Sequence, residues 1–553
     1  MRSRWRAVSA LVLAPTLAAA AACGSGGSGS TSSSGPSGVL TVAAGSNPFE
    51  ANFNPFSPSV QPGSIGMIYE PLMYFNRAKS GDIEPWLAKS YTWNSDGTAI
   101  TFKLRTGVTW NDGKPFTAAD VAYTFNLDTD PALNTNGLPI KNAVANGDDS
   151  VTINFTKPAF QNLTYVAGQT MILPQHIWST VSDKKTWTDP KPVGTGAWMV
   201  SKINSQVMVY AANPHYYQAD MPHFKTVRFL EYSTNATADQ AIESGSLDWA
   251  GGFIPDIKKN YLAKNPKYAL EDIPLSVTYL MPNYKQGPTA DKAVRQAISQ
   301  AIDRDFISQS VYNGYAPPTN PMDLLTPNFN NILDPTLAGQ SFGKADPAAA
   351  KSTLQAAGYT LGSDNVFRDK SGKPLNISIK VVTGWSDYIS ILQIAEQELA
   401  AAGIKLTVVP EAYAAWLQDQ NNGNFQLMID NFGYTSDPYT YYNQLLNGSV
   451  APPIGKLDQF GDYGRYDNPQ VDSLLVDIAG TADTAKQKQD FYQIEHLVLQ
   501  DVPTIALFAA QDEIEFNGNH VKDFPTTDNP YAAPPIWLQP DEGWAALRIA
   551  PAN

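Results

Sequence analysis

The sequence predicts a mixed α/β protein of two or three domains with a β-rich early part, and three observations carry that prediction. Residues 377–382 form an apolar strand, 388–402 a helix stopped by Gly403, and 404–409 a second strand, which is a βαβ unit and therefore a parallel sheet. Between residues 91 and 155, apolar residues alternate with polar ones: Ile100, Phe102 and Leu104 follow an Asp96-Gly97 turn, and Val151, Ile153 and Phe155 repeat the pattern. The chain is also long. Its 553 residues exceed what one ordinary core organises.

Taken in order, the folded part is expected to begin near Val39, with residues 40–42 as a first strand. Thr117, followed three residues later by Asp120, is a capping-box start for a helix over 118–127. Thr237 with Gln240 opens a short helix that Gly245 stops. The longest helical pattern runs over 292–311, with Val294, Ala297, Ile298, Ala301, Ile302 and Phe306 on one face at 3–4 spacing. Another helix has Asp346 as N-cap, Pro347 at its first position and Gly358 at its stop. No internal repeat is found, and the only low-complexity stretch is the Gly/Ser run 24–38.

Composition narrows the function classes. The formal net charge is −14, from 38 basic and 52 acidic residues. A balance this acidic excludes the basic patches that nucleic acid or anionic lipid requires. With one cysteine there is no disulfide framework. The 12 Trp and 26 Tyr serve chiefly as core, but rings with an apolar face and a polar tip also line clefts. Catalytic signatures are absent: there is no G-x-S-x-G elbow, no Walker A loop and no H-E-x-x-H. The five histidines (His176, His215, His223, His496, His520) lack zinc-ligand spacing. Neither a cofactor, a metal nor an enzymatic role is expected.

The single cysteine, Cys23, follows Arg2, Arg4 and Arg6 and an apolar run over 7–22 that ends in Ala20-Ala21-Ala22. A basic start, an apolar core and small residues at the cut make a secretory signal, here residues 1–22. The run contains Pro15 and falls short of the roughly 20 residues that span a bilayer. A cysteine directly after the cut, followed by the flexible tether 24–38, resembles a bacterial lipoprotein signal, with Ala20 where such signals usually carry Leu. The resemblance implies lipidation at Cys23 and a protein held on the outer face of the cytoplasmic membrane. Cleavage removes three arginines and takes the net charge to −17.

Several segments resemble the solute-binding proteins of peptide-type ABC importers, the family-5 group. They are Ile68-Tyr69-Glu70-Pro71-Leu72, Pro85-Trp86-Leu87-Ala88, the run from Val108 through Trp110-Asn111-Asp112-Gly113-Lys114-Pro115-Phe116-Thr117 to Val121, Pro192-Val193-Gly194-Thr195-Gly196, Val294-Arg295-Gln296-Ala297-Ile298, Tyr466-Asp467-Asn468-Pro469 and Asp501-Val502-Pro503. The resemblance spans nearly all of the mature chain. It implies a periplasmic-binding-protein-like fold (type II, cluster C), a three-lobed Venus flytrap with a cleft between two halves. Lobe I would comprise 39–76, 190–278 and 507–553; a β-rich lobe II, 77–189, would be inserted in it; an α/β lobe III, 279–506, would face them. Read structurally, Trp110-Asn111-Asp112-Gly113 is a turn with Gly113 at positive φ, and Arg295 makes a structural ion pair.

The implied role is a monomeric extracytoplasmic receptor that captures oligopeptides by closure and delivers them to an ABC permease and its ATPase. The ligand candidates on the α/β side are Trp385, at the edge of the 377–382 strand, and Tyr434, Asp437 and Tyr439. In peptide receptors of this family an Asp before Pro in a similar stretch pairs with the peptide amino terminus, and Asp437 matches it; the structural alternative is a turn-forming Asp-Pro. Opposite are Asn54, Phe56, Tyr69, Trp249 and Phe253, each with core packing as its alternative. The early Asn52-Phe53-Asn54-Pro55-Phe56 motif and the Tyr-rich 438–442 stretch also resemble family members that bind cello- or manno-oligomers. Oligosaccharide is therefore the alternative ligand, and a secreted hydrolase with an aromatic cleft is the third reading.

Overall fold

The computed structural model describes residues 38–552 except 46, 47, 327, 436 and 459; the side chain of residue 511 is also left undescribed. The expected signal, Cys23 and almost all of the tether lie outside the described residues. One mixed sheet of ten strands organises the molecule: β1 Val39–Ala44, β2 Trp198–Ile203, β3 Val207–Ala212, β4 Thr226–Glu231, β5 Trp249–Gly251, β6 Tyr268–Pro282, β7 Asn376–Val382, β8 Lys405–Glu411, β9 Leu427–Phe432 and β10 Ile505–Asn517. Its spatial order is β8-β7-β9-β6-β10-β5-β1-β4-β3-β2. The two long strands in the middle, β6 and β10, pair antiparallel along most of their length and run from one end of the sheet to the other. The pairing is irregular between Pro274 and Ser276 and between Thr278 and Tyr279, which breaks the ladder where the two ends join.

Each end of the sheet has its own core. Trp249, Phe516, Val42, Phe229 and Tyr210 belong to a first core around β1–β5. Around β7–β9 the sheet is covered on both faces: Ile379, Ile391 and Leu399 lie in one cluster, Met428, Tyr441 and Ile494 in the other. A separate antiparallel sheet, in the order Ala88–Trp93, Ala99–Leu104, Ser150–Phe155, Ile140–Ala145, packs on a helix over Ala118–Leu127 to make a fourth cluster. Its strands bury every second residue, as their alternation predicted: Ile100, Phe102 and Leu104 on one, Val151, Ile153 and Phe155 on the next.

Local signals fared well. Thr117 and Asp120 form both halves of a capping box. The βαβ unit is present, with β7 parallel to both β8 and β9. Asp346 caps the helix Pro347–Ala356, and Gly358 turns the chain at φ +92°.

Four expectations need correction. The 292–311 pattern is two helices, Lys292–Ala301 and Arg304–Tyr312, because Ile302 is extended and the Asp303 side chain caps the second helix through Phe306 N. Phe306 accordingly faces outward, 56% exposed, instead of joining the buried face. The helix expected to open at Thr237 begins at Asn235; Thr234 is its N-cap and accepts from Thr237 N. Arg295 makes no ion pair among the described residues. Its guanidinium donates to the carbonyls of Thr289, Ala290, Asp501 and Val502 and lies over the Tyr284 ring, 4.0 Å from its centre. Carbonyls at the ends of neighbouring segments satisfy its donors without a buried carboxylate.

Candidate functional site

The carboxyl ends of three neighbouring strands, β7, β8 and β9, open toward the junction with the first core. Loops leaving parallel strands at this edge are where α/β folds place ligands. Opposite them the chain leaves β4 into the helix Asn235–Glu243, and leaves β5 toward Phe253. The two sides touch. Asn235 N donates to Gly384 O (3.4 Å), and Asn235 Nδ2 reaches Ser386 Oγ and Asp387 Oδ1 at the same distance. Gly384 has φ +97°, and a Cβ there would lie 3.0 Å from Ser233 O, so both its conformation and the approach of the other side favour glycine. Phe253 packs edge-on to Tyr312, ring centres 5.6 Å apart.

The α/β side presents a wall of rings. Trp385 meets Tyr388 (5.5 Å), Trp416 (5.2 Å) and Tyr413 (6.1 Å) edge-on, while Tyr413 stacks on Trp416. Trp385, Tyr413, Phe432, Tyr434 and Tyr463 all keep part of their surface. Among them sits Asp430, which accepts from Gln420 Nε2 (2.5 Å) and Asn431 N (2.9 Å). Burial pushes its carboxyl up to about 7. Asp430 nevertheless keeps part of its surface beside these rings. From the first core Trp537 answers this wall. It is 43% exposed, packs over Gly251, where a Cβ would lie 2.7 Å from the indole, and approaches the Tyr434 hydroxyl.

Carboxylates dominate the remaining lining. Tyr434 donates to Asp512 (3.1 Å) and Tyr312 to Asp387 (3.2 Å). Asp239, Asp272, Asp387, Asp430, Asp437, Asp512, Glu513 and Glu515 are all raised from ordinary carboxyl values. Burial comes first in each case, several push on one another, and no lysine or arginine figures among the influences.

The residues singled out from sequence divide into two groups. Trp385, Tyr434, Asp437 and Phe253 lie at the junction. Asp437 is engaged there as the N-cap of the helix Pro438–Leu446: Oδ1 accepts from Tyr439 N and Oδ2 from Thr440 N and Oγ1. Tyr439 is 5% exposed and packs into the core behind the loop. The other four are absorbed by structure. Tyr69 has no exposed surface and donates to Asp189; Trp249 has none either, donates to Pro534 O (2.9 Å) and stacks on Phe516. Neither presents a face to a ligand in this conformation. Asn54 is fully buried, with its amide on Lys184 O and Trp187 O, and Phe56 packs edge-on to Trp178. Reasoning from sequence missed Tyr413, Tyr463, Trp537, Asp430, Asp239 and Glu513. A position just past a strand end was the available signal for Tyr413; nothing local marked the rest.

Among the described residues no group of three or more His, Cys, Asp or Glu is placed to hold a metal ion, and no helix is long and apolar enough to cross a membrane. Three of the histidines are paired with aspartates: His176 with Asp112, His496 with Asp334 and His520 with Asp248.

Two cores joined by a pair of long crossing strands, with an acidic, ring-lined junction between them, define a solute-binding protein of the hinged type. The profile of the bacterial extracellular solute-binding proteins, family 5, matches residues 82–452, and the chain belongs to that family. It is 26% identical to the nickel-binding periplasmic protein of Escherichia coli over 80% of this chain and 84% of that one. It is 25% identical to the glutathione-binding protein GsiB of the same organism, over 92% and 93%. Among solved structures it is similar to the mannohexaose-bound periplasmic oligopeptide-binding protein of Thermotoga maritima, with a TM-score of 0.84, 25% identity and coverage of 93% and 99%. The oligopeptide-binding protein AppA of Bacillus subtilis, in complex with a nonapeptide, shares the fold at a TM-score of 0.80 and 21% identity, with 94% and 100% covered. The chain is thus a substrate-binding protein of an ABC importer, of a family that works outside the cytoplasm, and its relatives are solute-binding proteins rather than enzymes.

Proposed function

We propose that this chain captures an oligosaccharide between its two halves and presents it, closed, to a membrane permease. The observation that carries the reading is the pair of ring surfaces, Trp385 and Tyr413 on one side and Trp537 on the other, beside acceptors that have no cation. Sugar rings lay flat C–H faces on aromatic rings and give hydroxyl hydrogens to carboxylates and amides. A zwitterionic peptide needs a cation for its carboxylate end. Arg77, which shares a small cavity with Thr435, is already paired with Asp541 at 2.6 Å. The likeness to a mannohexaose-bound protein supports the same reading.

The second reading is an oligopeptide. The half-exposed carboxylate of Asp437, which keeps lone pairs beyond its capping bonds, and the peptide-binding relatives favour it. In either case the proposed lobes (39–76, 190–278 and 507–553; 77–189; 279–506) close about β6 and β10. Closure must be driven by contacts made only in the closed form. The receptor acts as a monomer, tethered through lipid on Cys23 by a Gly/Ser linker long enough to let it pivot and dock.

Calorimetric titration of the purified protein with cello- and manno-oligomers, and with tri- to nonapeptides, separates the readings. Micromolar or tighter binding of a neutral oligomer with no peptide binding is expected. Peptide binding that falls in Asp437→Ala, with no oligosaccharide binding, would replace the first reading by the second.

A further inference from the structure

At one place in the junction, carboxylates from both sides converge with nothing to neutralise them. Asp239 comes from the helix Asn235–Glu243 and Asp387 from the start of the helix Ser386–Ala401, across the contact at Asn235. Asp272 on β6 and Glu513 on β10 are register partners, so they stand on the same face of the sheet. Glu513 is only 9% exposed, its Oε2 has no partner, and Asp272 Oδ1 has none either. Gly252 N donates to Glu513 O (3.4 Å), and a Cβ on Gly252 would lie 3.6 Å from Asp239 Oδ1, which sets Asp239 beside Glu513. The Glu513 carboxyl is also approached by Ile254 N, and the other three carboxylates all push it up. Rings complete the enclosure: Tyr312 donates to Asp387, and Phe253 packs against Tyr312. Neighbouring Glu243 is already engaged by Lys264 at 2.5 Å, and Glu515 adds its charge from below.

Removing an unpartnered carboxylate from water is costly, so such a group either takes up a proton or gains a charge partner. We propose that Asp239, Asp272, Asp387 and Glu513 form a subsite, completed on closure, for an ammonium group carried by the captured solute. The proposal rests on the reading of this junction as the solute cleft. An organic cation fits better than a metal ion, because among the described residues no three of these groups converge closely enough to ligate one. An ammonium group offers three donors to separated acceptors and takes additional attraction from ring faces. The group has two chemical sources, an amino sugar within an oligosaccharide or a lysine side chain within a peptide.

Without a cation the subsite must hold protons. Burial and neighbouring carboxylates push Asp239 and Glu513 up to about 8, while burial and the adjacent Glu271 push Asp272 to about 6. An arriving ammonium displaces those protons, whereas a neutral group does not. Calorimetry at pH 7 in two buffers of different ionisation enthalpy therefore reads the subsite directly. The ligands are two pairs: a glucosamine tetramer against its N-acetylated counterpart, and a lysine-containing tetrapeptide against its norleucine analogue. The amine member of at least one pair should bind about tenfold tighter or better, with proton release. The advantage should shrink to within about threefold in Glu513→Gln and in Asp239→Asn, which sit on different elements and whose folding is checked by melting. Equal binding within both pairs, an advantage that persists in both variants, or binding of none of the four ligands overturns the subsite. An advantage confined to the peptide pair leaves the subsite standing and removes the oligosaccharide reading. Binding of the N-acetylated sugar with no gain from the free amine does the reverse.

Discussion

Two regions of the molecule treat buried charge in different ways. The Arg465 cation faces a buried carboxylate, although its Nε and the neighbouring Asp462 Oδ2 have no hydrogen-bond partner among the described residues. Its guanidinium pairs with Asp458 at 3.0 Å and donates to the carbonyls of Asn421, Lys456, Asp462 and Tyr463, with both ionic side chains about 2% exposed. At the junction, Glu513 is 9% exposed and Asp272 more so, and each keeps an oxygen without a hydrogen-bond partner among the described residues. One region sets a guanidinium against its carboxylate; the other sets carboxylates against one another, with no lysine or arginine among the influences on them. That difference is open to test.

The largest effect should come from Arg465→Met. It strands Asp458 in the interior and should cost about 3–5 kcal/mol in urea unfolding, as broken buried pairs do. Glu513→Gln should leave stability unchanged or higher, because it removes an unneutralised charge. Should Glu513→Gln prove as damaging as Arg465→Met, the contrast between the two regions fails. Next in size, Trp385→Ala should weaken ligand binding by roughly 2 kcal/mol, the loss typical of a central aromatic anchor. Unchanged affinity in that variant would remove the ring wall from the site. Asp437→Ala comes third: loss of an N-cap should lower stability by ~1 kcal/mol in the same unfolding assay. Little change in affinity would accompany it if capping is the residue's whole role.

The smallest effect is on pH dependence. Asp239 and Glu513 are raised to about 8 and Asp430 to about 7, from ordinary values of 3.8 and 4.5. Groups raised on folding add stability that is complete below their unfolded values and is lost as pH climbs through the folded ones. The melting temperature of the unliganded protein should therefore decline by a few degrees from pH 5 to pH 8, and the Asp239→Asn/Glu513→Gln double variant should flatten that decline. A melting temperature that rises over this interval, or an identical fall in the double variant, would contradict the assignment.

What could be read from the sequence was local. Alternation along 99–104 and 150–155 foretold strands with one buried face, and Thr117 with Asp120 foretold a cap, because both depend on neighbours within a few residues. The 292–311 helix was misjudged for the same reason. Its apolar spacing continues across Ile302, and only the competing cap at Asp303 breaks it. Among candidate ligand contacts, Trp385 was legible from its place after a strand of the βαβ pattern and Tyr434 from the family-like stretch around Asp437, whereas Tyr69 and Trp249 belonged to motifs that serve packing. Trp537 carried no signal, since its position over Gly251 depends on segments far apart in the chain.

The sequence by itself determined the family, the mixed α/β character and the caps of a few helices such as those at Thr117 and Asp346, all of which follow from short-range periodicity, capping chemistry and recognisable motifs. Only the tertiary structure decided which few of 52 acidic residues matter. A carboxylate becomes unusual when it is enclosed and denied a partner, and enclosure is made by strands and helices that meet across the whole length of the chain. Asp239 and Glu513 are ordinary surface residues on paper. Folding makes them neighbours, with no cation between them.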